Sequence, residues 1–169
     1  MKLADIALRL ARRSDAPTLS AMSRDLIETG LGWHYRPERV MRLIGEPETV
    51  TVVACDRGHT IGFAIMRVDD ERAHIVLLAV RASHQRRGIG RRLTDWLVAT
   101  AATAGVASVH VEFRAGNAAA CALYRATGFG ETLRVHGYYG GRETAIRMMR
   151  LLRTPGAPVP AWSPPAAGK

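Results

Sequence analysis

The stretch SHQRRGIGRRL, Ser83 to Leu93, decides the reading of this chain. It follows an unbroken apolar run, Ile75 to Val80, and leads into a segment where Ile89, Leu93, Trp96, Leu97 and Ala101 recur at helical spacing. A buried strand therefore turns through arginines and glycines into a helix. Gly88 and Gly90 carry no side chain, so backbone N–H groups there can come close to a ligand. The helix start adds partial positive charge, and Arg86, Arg87 and Arg91 add formal charge. The turn suits an anion. It is not a P-loop, since no GxxxxGK[ST] string occurs. Nor is it a dinucleotide fingerprint, because Arg91, Arg92 and Leu93 follow Gly88-Ile89-Gly90 where a third glycine would be needed.

Outward from this turn the pattern alternates between short strands and helices. Ile6 to Ala11 reads as a first strand. Asp15 is placed to cap the next helix, with Pro17 in its first turn. Leu19, Met22, Leu26 and Ile27 share a helical face, and Gly30 ends it. GLGWHYRPERVMRLI is a loop followed by a second short helix. Thr49 to Ala54 and Thr60 to Val68 form a hairpin around CDRGHT, and Ala73 to Val80 continues the meander. Beyond the glycine turn the helix stops at Gly105. Ser108 to Arg114 is a strand, Asn117 to Ala126 a helix closed by Gly128, and Thr132 to Tyr138 and Thr144 to Leu152 are the last strands. The order predicts an α/β (α+β) fold, with a mixed, mostly antiparallel sheet of six to seven strands flanked by about four helices. It occupies residues 1–153. TPGAPVPAWSPPAAGK, residues 154–169, is expected to be a disordered Pro/Ala-rich tail.

With 169 residues, 47% hydrophobic and 23% charged, the chain suits one domain with a real core. No apolar run approaches the roughly 20 residues of a membrane helix. Charged residues interrupt the opening MKLADIALRLARRSD, which argues against a secretory leader, so a cytoplasmic protein is expected. Cys55 and Cys121 make no disulfide framework, and the six histidines show no metal-ligand spacing, so no metal is expected. A net charge of +9 favours an anionic partner.

Gln85-x-x-Gly88-x-Gly90 after an apolar strand, with Arg91 following, closely resembles the acetyl-CoA pyrophosphate loop of the GNAT superfamily of N-acetyltransferases. EFRAGNAAACALYRATGF, Glu112 to Phe129, resembles that family's next strand and helix. The resemblance implies the GNAT fold and acetyl-CoA as acetyl donor. It implies main-chain contacts to the cofactor from Leu78, Ala79 and Val80. Loop contacts would come from Gln85, Arg86, Arg87, Gly88, Ile89, Gly90 and Arg91, and a further contact from Asn117.

Moving an acetyl group from a thioester to an amine needs a neutral amine and a proton for the departing thiolate. Tyr124 stands where the family places its tyrosine acid, near the coenzyme A sulfur. Along Ser108 to Arg114 the alternation puts Val109, Val111 and Phe113 on one face and His110, Glu112 and Arg114 on the other. Glu112 so points away from the apolar face, and the resemblance places it toward the acceptor cleft as base. The bland alternative is a solvated carboxylate paired with Arg114. His74 is the second candidate base, at a position where many relatives carry glutamate.

Glu112 to Tyr124 together with GYYGGRETAIRMMR resembles the branch that acetylates protein N-termini, especially the bacterial ribosomal-protein alanine acetyltransferases. In that branch a tyrosine pair lines the peptide groove, and Tyr138 and Tyr139 hold those positions. Trp33 and Tyr35 are further candidate groove walls. The acceptor implied is a protein N-terminus, with a small-molecule amine as the alternative. A non-catalytic acetyl-CoA-binding protein and a nucleic-acid-binding module are weaker readings, because Tyr124 and Glu112 are present and no nucleic-acid motif is legible. No membrane partner is expected, and a homodimer stays open.

Overall fold

The computed structural model, which describes residues 6–154, begins with strand β1 (Ile6–Leu10) and helices α1 (Ala16–Leu26) and α2 (Pro37–Gly45). A meander follows: β2 (Thr49–Asp56), β3 (His59–Val68) and β4 (Arg72–Val80). Then come α3 (Ile89–Thr103), β5 (Ser108–Arg114), α4 (Ala118–Ala126), β6 (Gly130–Tyr139) and β7 (Glu143–Leu151). Apart from Thr154, the tail expected from the sequence lies outside the described residues.

The seven strands form one sheet in the order β1-β2-β3-β4-β5-β7-β6. Every neighbouring pair is antiparallel except β4 and β5. On one face, Leu19 and Met22 of α1 and Val40 and Leu43 of α2 pack on Val53, Phe63, Ile65, Leu77 and Ala79. On the other, Ile89, Leu93, Leu97 and Ala101 of α3 and Tyr124 of α4 pack on Met66, Ile75, Val109, Val111, Ile146 and Met148. Leu93 and Leu97 are fully buried, so truncating either to alanine costs about 2–5 kcal/mol.

β4 carries the feature that makes a site. Its register with β3 pairs Ile65 with Leu77 and Met66 with Ile75, so Val76 is an extra residue, a β-bulge. Ile75 consequently faces the α3 core while Leu77 faces the α1–α2 core. Two residues apart in a regular strand, they would share a face. The pairing of β4 with β5 ends at the same level, with Ile75 opposite Val111. Beyond it the parallel strands part. Residues 76–80 of β4 and 112–114 of β5 turn toward the gap backbone groups that have lost their ladder partners, and such groups need new ones.

Asp15 precedes α1 as expected, but its carboxylate does not cap the helix. Its oxygens accept from the Arg9 guanidinium at 2.8 and 2.9 Å and from the Arg12 N–H at 2.6 Å. A charge-assisted fork outweighs a neutral N–H donor, so Asp15 pins the entry to α1 instead.

Candidate active site

The connection from β4 to α3 is tied down at both ends. Arg81 donates from Nε to the Thr60 carbonyl at 2.9 Å, and Gln85 donates from Nε2 to the Val80 carbonyl at 2.9 Å. The Gln85 side chain therefore holds the loop against the end of its strand. Arg86 (φ +58°) and Gly88 (φ +76°) are left-handed on either side of Arg87. Left-handed residues interleaved with ordinary ones turn successive N–H groups to a common side, a concavity that suits anions. The first backbone bond entering α3 runs from the Arg92 N–H to the Gly88 carbonyl at 3.0 Å. The N–H groups of Ile89, Gly90 and Arg91 thus lack helical acceptors. Arg86, Arg87 and Arg91 are exposed around them, while Ile89 is buried and anchors the turn.

The two glycines serve different ends. Gly88 supplies a backbone conformation that other residues adopt only under strain. Gly90 lies inside α3 with helical geometry. A Cβ there would meet Leu123 Cδ2 of α4 at 3.3 Å and Leu78 Cδ2 at 3.9 Å, so Gly90 serves close helix packing.

Tyr124 lies under the parted strands. Its ring stacks on Phe113 of β5 at 5.6 Å and meets Phe129 edge-on at 5.3 Å. Burial pushes its pKa above the ordinary phenol value, so the hydroxyl keeps its proton well beyond neutrality. Asn117 begins α4, where its Oδ1 accepts the Ala120 N–H at 3.0 Å as a helix cap.

The opposite, α1–α2 side of the gap is a cluster of charges and aromatic rings. Glu112 accepts from Arg147 Nε at 2.6 Å, across the β5–β7 register. Arg114, the partner considered from sequence, instead pairs through Nη1 with Glu143 at 3.1 Å. Its Nη2 donates to the Thr29 carbonyl at 2.7 Å. That second bond ties the α1–α2 loop to the end of β5. The Arg147 guanidinium lies over the Tyr138 ring and that of Arg114 over the Tyr139 ring, each at 5.6 Å. The two tyrosines meet edge to face at 5.0 Å. Desolvation, with Glu112 and Tyr138 nearby, pushes the Tyr139 pKa up to about 12. His74 stands on this side too, opposite His110 and two residues along from Glu112. The residue is exposed, yet partial desolvation lowers its pKa below 6.5. Glu112 opposes that shift and Arg147 adds to it, so the imidazole is neutral at pH 7.

The structure thus brings Glu112, His74, Tyr138 and Tyr139 to one side of the gap and the glycine turn and Tyr124 to the other. Trp33 and Tyr35 stay with the α1–α2 loop. Trp33 is flanked by Arg24 and Arg36, each 5.3 Å from its ring, and Arg39 lies 4.4 Å over Tyr35. The loop is shaped by Glu28, which the sequence reading does not single out. This buried carboxylate accepts the Ser23 hydroxyl at 2.8 Å and the backbone N–H groups of His34 and Tyr35. Arg147 was equally illegible. Strand alternation places it on the solvent side of β7, and nothing in the sequence pairs it with Glu112.

A sheet of this order, parted between its one parallel pair above a glycine turn, defines a class of protein. The family model described as acetyltransferase (GNAT) family matches residues 19–129, and the chain belongs to that family. Among curated proteins it is 42% identical over 94 residues to the [ribosomal protein bS18]-alanine N-acetyltransferase of Escherichia coli strain K12, a match covering 54% of this chain. The chain spans 64% of that relative's length, somewhat under two thirds. Over the whole fold it superposes on the crystal structure of the E. coli ribosomal-protein-S18-alanine N-acetyltransferase with TM-score 0.78 and 28% identity, covering 90% of this chain and 97% of that one. It shares its fold with Arabidopsis thaliana NAA60 in complex with acetyl-CoA, with TM-score 0.77 and 20% identity, covering 87% and 98%. No described helix is long and apolar enough to cross a membrane.

Proposed function

We propose that the chain transfers the acetyl group of acetyl-CoA to the α-amine of a peptide or protein N-terminus. The observation that carries this reading is the parting of β4 and β5 beyond Ile75 and Val111, with a turn of left-handed backbone on one side and Glu112, its partner Arg147 and the adjoining pair Tyr138 and Tyr139 on the other. The named activity of the E. coli relative, alanine N-acetylation of ribosomal protein bS18, supports the choice of a protein acceptor.

The residues fit acetyl-CoA. The N–H groups from Arg86 to Arg91 and the start of α3 would hold the pyrophosphate, with the exposed arginines adding charge. Those backbone groups of Leu78, Ala79 and Val80 that turn away from β3 would take the amide-bearing arm. Acetyl-CoA supplies an activated thioester.

The chain's own groups then manage protons. A free α-amine has a pKa of about 7.7–8.0, so much of it is protonated at pH 7. Glu112 keeps Oε2 on Arg147 and leaves Oε1 to receive the amine proton, directly or through water. His74, neutral at that pH, is the second group able to take it. As the amine's lone pair forms the C–N bond, the C–S bond would break with its electrons on sulfur, and Tyr124 would protonate that sulfur. Tyr138 and Tyr139 offer flat, rigid walls with polar tips to a peptide backbone.

A peptide array with free and blocked N-termini, incubated with acetyl-CoA and read by mass spectrometry, tests this. Free N-termini gain 42 mass units, about that of one acetyl group, and lysines in blocked peptides do not. Tyr138→Ala combined with Tyr139→Ala raises the peptide KM about tenfold and leaves acetyl-CoA affinity alone. A small-molecule amine that outpaces every peptide by a wide margin defeats the N-terminal reading.

A further inference from the structure

We propose that Arg147 reads a carboxylate on the acceptor, so that the amine received at Glu112 belongs to a molecule bearing an acidic group a few bonds away. The inference rests on the acetyltransferase reading above and adds the charge of the acceptor.

The two tyrosine-capped arginines differ in what their guanidinium groups have left to offer. Arg114 commits Nη1 to Glu143 and Nη2 to the Thr29 carbonyl, and is a tie between elements. Arg147 commits Nε to Glu112 and hydrogen-bonds the Tyr138 side chain, and among the described residues it meets no other carboxylate. Its side chain is 44% exposed against 16% for Glu112, so the guanidinium stands between the carboxylate and solvent. Lying over the Tyr138 ring, it presents its remaining N–H donors as an oriented fork.

An ammonium group approaching Glu112 must pass this fixed cation. With only a positive charge it meets repulsion. An acceptor with a carboxylate near its amine cancels that repulsion and fills the fork, since paired N–H donors match carboxylate geometry. The surroundings act in the same direction. Arg36, Arg39, Arg67 and Arg72 are all exposed, and none forms an ion pair among the described residues. Arg67 and Arg72 lie on the strands that carry and flank His74. The field over the acceptor side therefore favours an anion. Two sources offer the required chemistry: an acidic side chain at the second position of a peptide, or the carboxylates of a free acidic amino acid.

The test measures kcat/KM for coenzyme A release by the full chain. Acceptors are peptides that differ only at the second residue, Ala-Glu, Ala-Gln and Ala-Lys, together with free glutamate and free alanine. Ala-Glu is expected to exceed Ala-Gln by about tenfold and Ala-Lys by more, the scale of a charge-assisted pair. Arg147→Met brings the Glu/Gln ratio close to one, and Arg147→Glu reverses the Glu/Lys order. Unchanged acetyl-CoA affinity in both variants certifies their fold. Free glutamate outpacing all peptides and free alanine supports the carboxylate inference while defeating the N-terminal reading. Peptides accepted with Ala-Lys equal to or better than Ala-Glu, or a Glu/Gln ratio unmoved in Arg147→Met, overturn the inference and leave the N-terminal reading standing.

Discussion

On the α3 side of the gap every part of the anion cradle comes from residues 80–92, held by bonds such as Gln85 to Val80, five residues apart. On the acceptor side Glu112 meets Arg147, 35 residues on, and Arg114 meets Thr29, 85 residues back. The first region is local backbone conformation. The second is assembled from side chains on β4, β5, β6 and β7, tied to the α1–α2 loop. A cradle of main-chain N–H groups recognises a phosphate whatever the neighbouring side chains are. A cleft of paired charges changes its preference with one substitution. The two sides should therefore fail in different ways when altered.

The largest loss should come from Tyr124, the buried ring on the α3 side that we propose as the proton donor. Tyr124→Phe keeps the ring between Phe113 and Phe129 and removes the proton donor. A fall in kcat of about a hundredfold or more is expected, with acetyl-CoA affinity unchanged. Its raised pKa keeps the wild-type donor protonated to high pH, and alkali cannot restore it in the variant. A fully active Tyr124→Phe protein would remove it from the chemistry.

The glycines sharpen the contrast within the cradle itself. Gly88→Val forces a β-branched residue to φ +76° and sets its side chain beside the N–H groups. Acetyl-CoA affinity measured by calorimetry should drop about thirtyfold or more, from strain on the order of 2 kcal/mol plus steric loss. Gly90→Val presses on Leu123 instead. It should lower the melting temperature, by overpacking that costs about 1–3 kcal/mol, more than it weakens binding. Equal effects of the two on binding would mean that the missing side chain of Gly90, too, makes room for the anion.

Glu112→Gln keeps the shape of the acceptor wall and removes its basicity. Activity near neutrality should fall about tenfold and recover in part above pH 8–9, where the amine is about fully deprotonated unaided. Identical pH profiles for variant and wild type would pass the role to His74. Its lowered pKa gives the sign: the neutral base is present above that value and lost as pH falls through it, so the acid limb lies below 6.5 and His74→Ala abolishes it.

The smallest effects belong to the exposed arginines of the cradle. Arg86→Ala or Arg91→Ala should weaken acetyl-CoA binding a few-fold and make it less sensitive to salt, because screened surface charge adds little to a main-chain site. A loss as large as that in Gly88→Val would mean that side-chain charge, not the N–H cradle, holds the anion.

Much of this architecture could be read from the sequence, because its signals are local. Apolar periodicity marks each strand and helix, the glycine turn announces a left-handed backbone, and alternation along Ser108–Arg114 places Glu112 on the far face from Val111. The side of β4 on which each residue lies was not legible. The bulge at Val76 inverts the alternation, and a bulge arises from register between strands. The buried Glu28 and the choice of Arg147 over Arg114 as partner of Glu112 were hidden for the same reason. By itself the sequence determined the order of elements and the position of the glycine turn, since each depends on near neighbours along the chain. Only the tertiary structure decided where β4 and β5 part and which arginine pairs with Glu112, because hydrogen-bond register and ion pairs are settled between residues that meet only once the sheet has formed.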